Sequence, residues 1–314
     1  MRNDRYLNRL IFGVLLSVCI LLSGCAAKST DGGVTSNGED IIGFSFIFMS
    51  DTQADPEAGD YTALGGLFEL ALSHESEPKL LILGGDNVND GASSDEWSAF
   101  WSAAGDCLDD VLIASVAGNH DNKSLLAEQF DYPDKAPVSA TEGFFYSFTE
   151  SNVLFVMLDS NMMGAGNAAD AKWLEELLSS EAAANADWII AVSHHPFFPK
   201  AEIPKDSQRA QTMGETFLPL MEESRVDLLL CGHQHMYSRT KPMSSSGISE
   251  GGLVQIMTAS GAKGNYTPGS SEYVEITAET PAYLIVEIRG EAMAITAYNG
   301  AGAPFDSVQF IKDS

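Results

Sequence analysis

The chain has 314 residues, 45% of them hydrophobic, enough for one large α/β domain or two small ones and too apolar for wholesale disorder. Its 17 basic and 44 acidic residues give a formal charge of −27, a surface that repels nucleic-acid backbones, so no nucleic-acid-binding module is expected. All of the histidines except His74 sit in short polar clusters, each following an apolar run.

At the N-terminus, Arg2, Arg5 and Arg9 precede the apolar stretch Ile11–Leu22. That stretch is shorter than the roughly 20 apolar residues of a membrane-spanning helix and fits the core of a secretory signal. Leu22-Ser23-Gly24-Cys25 resembles the lipobox of bacterial lipoproteins. The resemblance implies cleavage before Cys25, lipidation of its thiol, and a place in the bacterial cell envelope, on the cell membrane or the outer membrane. A plain signal peptide and an uncleaved anchor are the alternatives. Residues 1–24 are thus expected to be a signal, and residues 25–40, rich in Gly, Ser, Asn and Asp, a flexible tether. Cys107 and Cys231 remain; a bridge between them is compatible with export, but Cys231 ends an apolar run and reads as a buried free thiol.

From Ile41 onward, short apolar runs alternate with amphipathic stretches. Ile41–Met49 predicts a strand, and Tyr61–Ser73 a helix with Leu64, Leu67, Phe68 and Ala71 on its apolar side. Leu80–Leu83 predicts a second strand, and Ser94–Asp106 a helix capped by Ser94 or Asp95. Val111–Val116 is a third strand. Phe144–Phe148 and Val153–Asp159 read as a hairpin joined through Thr149-Glu150-Ser151-Asn152. Ala168–Ser180 and Gln208–Ser224 read as helices, Trp188–Val192 and Val226–Leu230 as strands. Leu253–Thr258, Ala282–Ile288 and Ala292–Ala297 are β-like runs. Without an internal repeat or a second linker, residues 41–313 read as one α/β domain with a strand-rich C-terminal part.

Five polar clusters follow five of these runs: Ser50-Asp51-Thr52-Gln53, Gly84-Gly85-Asp86-Asn87-Val88-Asn89, Gly118-Asn119-His120-Asp121, Ser193-His194-His195-Pro196 and Gly232-His233-Gln234-His235. Buried strands ending at one sheet edge would bring them together. Carboxylate, amide oxygen and imidazole suit Zn²⁺, Mn²⁺ or iron. Glycines at Gly85, Gly118 and Gly232 let the backbone turn as each strand ends, and extended backbone at His233-x-His235 would put both imidazoles on one side. Each cluster alone is weak, since a single Gly-Asn-His-Asp is more often a capped turn; in this order and spacing the set points to a metal site.

Taken together, the clusters resemble the five signatures of calcineurin-like metallophosphoesterases, and Gly232–Arg239 is similar to the Gly-His-x-His-x-Tyr-x-Arg run of the purple acid phosphatase branch. The resemblance implies a four-layer α/β/β/α sandwich with two central mixed sheets. It also implies two divalent or trivalent metal ions (Mn, Zn or Fe) and hydrolysis of phosphate esters, as a phosphomonoesterase or a phosphodiesterase, on a phosphorylated small molecule or macromolecule. Position by position, Asp86 would be the bridging carboxylate, Asp51, Gln53 and His235 would serve the first metal, and Asn119, His194 and His233 the second. His194, two residues before the proline, matches the ligand position better than His195. His120 would stabilise charge or donate a proton near the phosphate, with Asp121 orienting it or raising its pKa. Two metals would neutralise the ester's charge and activate a water for in-line attack.

Two departures stand out. Most of the family carries His where this chain has Gln53, and the purple branch has Tyr where it has Asn89, so a weaker or different first metal and no iron–tyrosinate band are expected. Asn89 would assist or cap the turn. His195, Tyr237 and Arg239 are open between substrate contact and structural hydrogen bonding. A non-catalytic surface lipoprotein that keeps the metal site is the competing function. A phosphate-scavenging binding lipoprotein would need two lobes and a hinge, of which the sequence gives no sign.

Overall fold

The apolar runs become two sheets lying face to face. The computed structural model describes residues 43–55, 59–130, 132, 144–264 and 266–312; the expected signal, Cys25 and the tether lie outside the described residues. The strands are β1 (Phe44–Met49), β2 (Leu80–Leu83), β3 (Leu112–Ser115), β4 (Tyr146–Glu150), β5 (Val153–Leu158), β6 (Trp188–Ser193), β7 (Leu228–Cys231), β8 (Tyr237–Thr240), β9 (Met243–Ser244), β10 (Gly247–Ile248), β11 (Val254–Met257), β12 (Val274–Ala278), β13 (Ala282–Arg289), β14 (Ala292–Asn299) and β15 (Pro304–Ile311). The helices are α1 (Thr62–Leu72), α2 (Ser94–Ala104), α3 (Lys123–Gln129), α4 (Ser160–Met163), α5 (Ala168–Leu178), α6 (Glu181–Asn185), α7 (Pro204–Thr216) and α8 (Leu218–Glu223).

One of the two large sheets runs β15-β14-β13-β1-β2-β3 and the other β12-β8-β11-β7-β6-β5-β4, both mixed, while β9 and β10 pair in a separate two-stranded ribbon. In the second sheet alternation decides which layer each side chain joins. Phe155, Met157, Ile190, Val192, Leu228 and Leu230 point to the core shared with the first sheet. Leu154, Val156, Leu158, Ile189, Ala191 and Leu229 point the other way, onto α5, α7 and α8 through Leu174, Leu178, Met213, Phe217 and Met221. Helices α1 and α2 cover the first sheet with Leu64, Leu67, Phe68, Trp97 and Phe100. Helices therefore close both outer faces, giving the expected four layers.

Several local details differ from expectation. Helix α2 is capped by Ser93, whose Oγ accepts from the Glu96 N–H at 3.3 Å, rather than by Ser94 or Asp95. The single helix expected over Gln208–Ser224 is two: α7 starts earlier, at Pro204, and the chain breaks at Phe217 because Pro219 has no N–H to continue the ladder. The β4–β5 hairpin turns on Ser151 and Asn152 alone, both at positive φ (48° and 65°), the conformation a two-residue type I′ turn requires. Cys107 and Cys231 are both free thiols.

Register positions the site. In the first sheet Met49 pairs with Leu83, and Leu83 with Ser115. In the second, Val192 pairs with Leu230, and Cys231 with Met257. The carboxyl ends of three parallel neighbours in each sheet thus finish level. Asp51 N–H to Gly85 O (2.9 Å), Gly232 N–H to His194 O (3.0 Å) and Gly261 N–H to Asp51 O (2.9 Å) tie their loops together, the last across the two sheets.

Candidate metal centre

The residues that follow these strands turn back sharply. Asp51, Asp86, His233 and His235 all have positive φ (49°, 53°, 75° and 46°), a region L-residues with side chains seldom occupy. Strain of this kind persists only where surrounding structure over-determines it, and here it falls on four candidate ligands. The extended His233-x-His235 expected from the sequence is therefore corrected: a tight turn, with Gln234 N–H bonded to Gly232 O at 3.0 Å, delivers the two imidazoles before β8 begins. The glycines are corrected in part. Only Gly85 of the three has positive φ (87°); a Cβ on Gly118 would lie 2.1 Å from Asp86 Oδ1, and one on Gly232 1.8 Å from Ser50 Oγ, so those two are required for space.

Asp51, Asp86 and His194 form one buried cluster that could hold a metal ion, and His194, His195 and His233 a second. His194 Nε2 lies 3.3 Å from both Asp86 Oδ2 and Asn119 Oδ1, and His235 Nε2 lies 3.3 Å from Asp51 Oδ1. Burial opposes ionisation of Asp51, Asp86 and His194 but is outweighed: His235 and then His194 hold Asp51 below the usual carboxylate range, His194 does the same for Asp86, and Asp86 followed by Asp51 holds the His194 imidazole up at about 9. Asp51 Oδ1 and Gln53 Oε1 are buried without a hydrogen-bond partner. Each such oxygen costs roughly 1–3 kcal/mol unless something satisfies it, and a cation would satisfy both. The donor types and these two oxygens fit bound metal ions.

Each imidazole is also aimed. His194 Nδ1 donates to Gly84 O (2.9 Å) and His235 Nδ1 to Gly264 O (3.1 Å), which aims Nε2 of each at the carboxylates as the atom a metal would take once its proton is displaced. His233 works the other way round: Nε2 donates to Asp206 Oδ1 at 3.1 Å, which frees Nδ1. Asp206 is buried, receives a second bond from Gln234 Nε2 (2.9 Å), and is held ionised by these donors against the cost of burial. His195 Nδ1 faces Ser160 Oγ at 2.9 Å, and the same oxygen accepts from the His195 N–H. The hydroxyl hydrogen is then free for Nδ1, the arrangement that puts the His195 hydrogen on Nε2 and turns the ring toward the site as a donor. Burial, followed by the neighbouring imidazoles, keeps it neutral.

At the mouth, His120 Nδ1 donates to the backbone oxygen of Asn89 (2.6 Å), while Nε2 meets Lys263 Nζ at 3.0 Å. Asn89 Nδ2 is bound to Ala54 O (3.0 Å), so this residue serves by its backbone and by tying the loop. The expected pairing of Asp121 with the His120 ring is corrected. The Asp121 carboxylate accepts from the N–H groups of Asp86 (2.8 Å), Asn87 (3.2 Å) and Gly118 (2.8 Å), which lock the loops carrying Asp86 and Asn119. Burial and the charge of Asp86 push its pKa up to about 6. Tyr237 and Arg239 prove structural: Tyr237 Oη donates to Asp306 at 2.5 Å, and Arg239 grips the same carboxylate through Nε (2.7 Å) and Nη2 (3.0 Å). This brace joins β8 of one sheet to β15 of the other.

Sequence reasoning missed Asp206, Ser160, Lys263 and Tyr266, whose ring stacks on His235 with centroids 5.2 Å apart. Pro204 at the first turn of α7 was the available signal for Asp206, since proline favours that position. Nothing in the spacing around Lys263 distinguishes it.

Residues 44–237, which carry all five strand-end clusters, match the calcineurin-like phosphoesterases. The chain belongs to that family. Among the chain's relatives, an uncharacterised protein of Mycobacterium tuberculosis is 24% identical over 217 residues, 62% of this chain and 36% of its own length. A probable purple acid phosphatase of Arabidopsis thaliana is 29% identical over 100 residues, 32% of this chain and 23% of its own. The chain thus spans about a third or less of these curated relatives. In fold it is similar to a purple acid phosphatase from seeds of yellow lupin, Lupinus luteus (TM-score 0.70, 15% identity, 85% of this chain and 53% of that one). It is also similar to an anchor protein of the inner membrane complex of Plasmodium (TM-score 0.64, 18% identity, 87% and 90%).

Proposed function

We propose that the chain hydrolyses phosphate esters with two metal ions, and that the lipid on Cys25 holds it at the bacterial cell envelope. The observation that carries the reading is the meeting of Asp51, Asp86, Asn119, His194, His233 and His235 at one edge of two sheets, with the buried oxygens of Asp51 and Gln53 left for a cation. Asp51, Gln53 and His235 would hold the first metal, Asn119, His194 and His233 the second, and Asp86 both. When bound, the metals supply charge neutralisation and activation of water for attack at phosphorus. Asp86 is kept in place by the His120 N–H, 2.7 Å from Oδ1. His120, fixed through Nδ1, would protonate the leaving oxygen once Nε2 carries a hydrogen in place of its contact with Lys263 Nζ. His195 presents its Nε2 hydrogen as a donor. The absence of a tyrosine at Asn89 removes the phenolate that would colour an iron site.

A non-catalytic metal-binding surface lipoprotein is the second reading, favoured by Gln53 where most of the family has His. One assay separates the two: the full chain, purified in mild detergent and supplied with Mn²⁺, Zn²⁺ or iron, is given a chromogenic phosphomonoester and phosphodiester. Turnover that needs metal and disappears in Asp86→Ala supports the phosphoesterase; bound metal without turnover of either ester favours the non-catalytic reading.

A further inference from the structure

Lys263 lies in the loop after β11, and that loop is pinned on both sides of it. Gly261 N–H bonds to Asp51 O and Ala262 N–H to Gln53 O, both at 2.9 Å, while Gly264 O accepts from His235 Nδ1 at 3.1 Å. Candidate ligands thus hold the backbone that carries the lysine, and its Nζ is delivered to His120 Nε2 at 3.0 Å. Because His120 Nδ1 must donate to the carbonyl of Asn89, Nε2 is the acceptor in this contact and Lys263 the donor. An ammonium has three N–H donors, and His120 takes one. Among the described residues no carboxylate lies within ion-pairing distance of Lys263, although the chain carries 44 acidic residues. Its charge also reaches His235. A half-buried cation at the mouth of a metal cluster, with donors to spare, is arranged for an anion arriving from solvent.

The geometry points to Lys263 as the residue that binds a non-bridging oxygen of the substrate's phosphoryl group and selects dianionic phosphate monoesters over diesters. This rests on the phosphoesterase reading. A monoester has three non-bridging oxygens and carries close to two charges at neutral pH. Two of those oxygens facing the metal cluster leave the third for Lys263. A diester has only two and a single charge, so nothing remains for the lysine to bind. The ion contact therefore adds to binding of one ester class and not the other, and specificity is the difference between the two.

The test uses the full chain loaded with Mn²⁺, an aryl phosphomonoester, the matching diester, and inorganic phosphate as inhibitor. Lys263→Met is expected to lower kcat/KM for the monoester by about 10- to 100-fold, the range for one charge-assisted hydrogen bond. It should weaken inhibition by phosphate by a similar factor, while the diester, which loses only the contact between Lys263 and His120, should fall by a smaller factor, so that the monoester-to-diester ratio of kcat/KM drops about tenfold. Lys263→Arg, which keeps the charge, should restore most of the monoester preference. Equal losses for both esters, or undiminished inhibition by phosphate in Lys263→Met, would overturn the assignment while wild-type turnover that is abolished in Asp86→Ala leaves the phosphoesterase reading intact. A wild-type chain that hydrolyses neither ester would remove both.

Discussion

Replacing Asp206 with leucine should loosen metal binding without touching a ligand. In the native protein the Asp206 carboxylate, 4% exposed, lies 3.1 Å from His233 Nε2 and 2.9 Å from Gln234 Nε2. Leucine fills similar space but accepts nothing, so Nε2–H loses its partner and Nδ1 its fixed direction. A hydrogen bond to a charged group contributes about 1.5–3 kcal/mol, and loss of a partner behind a metal-bound histidine typically lowers affinity about 10- to 100-fold, so the two scales agree. Competition of Mn²⁺ or Zn²⁺ between the protein and a chelating dye measures the affinity directly. Asp206→Asn, which keeps an acceptor oxygen, should lose about threefold or less, because only the charge is gone. If Asp206→Leu melts like the wild type without metal and binds metal within twofold of it, Asp206 does not orient His233 and the reasoning fails.

Gln53→His should tighten the weaker metal by about tenfold, because an imidazole replaces a neutral amide oxygen beside Asp51; dialysis against graded chelator reads the change. In the metal-free protein His194 is held up at about 9, where burial is outweighed by Asp86, so a metal must displace its proton; affinity should fall about tenfold per unit as pH drops below that value and level off above it. Arg239→Met should cost about 3 kcal/mol in denaturant unfolding, the low end for breaking a buried pair, while leaving the activity of folded molecules intact. Burial opposes ionisation of Asp306, but Arg239 and Tyr237 hold its pKa below the ordinary value. The brace's stabilisation is therefore complete above about pH 4, the unfolded carboxylate value, and is lost as pH falls through the lower folded value, a loss absent in Asp306→Asn.

The sequence carried the layered fold and the strand-end clusters because both follow from one-dimensional patterns. A short apolar run such as Leu80–Leu83, bounded by Pro78 and the Gly84-Gly85 pair, reads as a buried strand, and a polar cluster directly after it then stands at the strand's end. What the chain did not display were relations between distant segments. Asp206 supports His233 across 27 positions, and Lys263 meets His120 across 143, neither with a motif of its own. Asp121 follows His120 directly, so adjacency suggested a side-chain pair, but the amides around Asp86 and Gly118 offered the carboxylate better donors. Tyr237 and Arg239 stand in a run that reads as functional, and only the position of β15 shows that they grip Asp306. The edge strand β15 escaped because its pattern is half exposed and interrupted by Asp306 and Ser307.

If Asp86 and its neighbours hold two metals that hydrolysis needs, bound metal and turnover must rise together. Titrating Mn²⁺ into metal-free full-length chain, while counting bound metal and following cleavage of an aryl phosphomonoester in the same samples, tests it most directly. Activity should rise as the second equivalent binds, and Asp86→Ala should bind neither ion tightly and stay inactive; cleavage that persists after complete chelation, or a chain that binds no metal, would rule out the two-metal site.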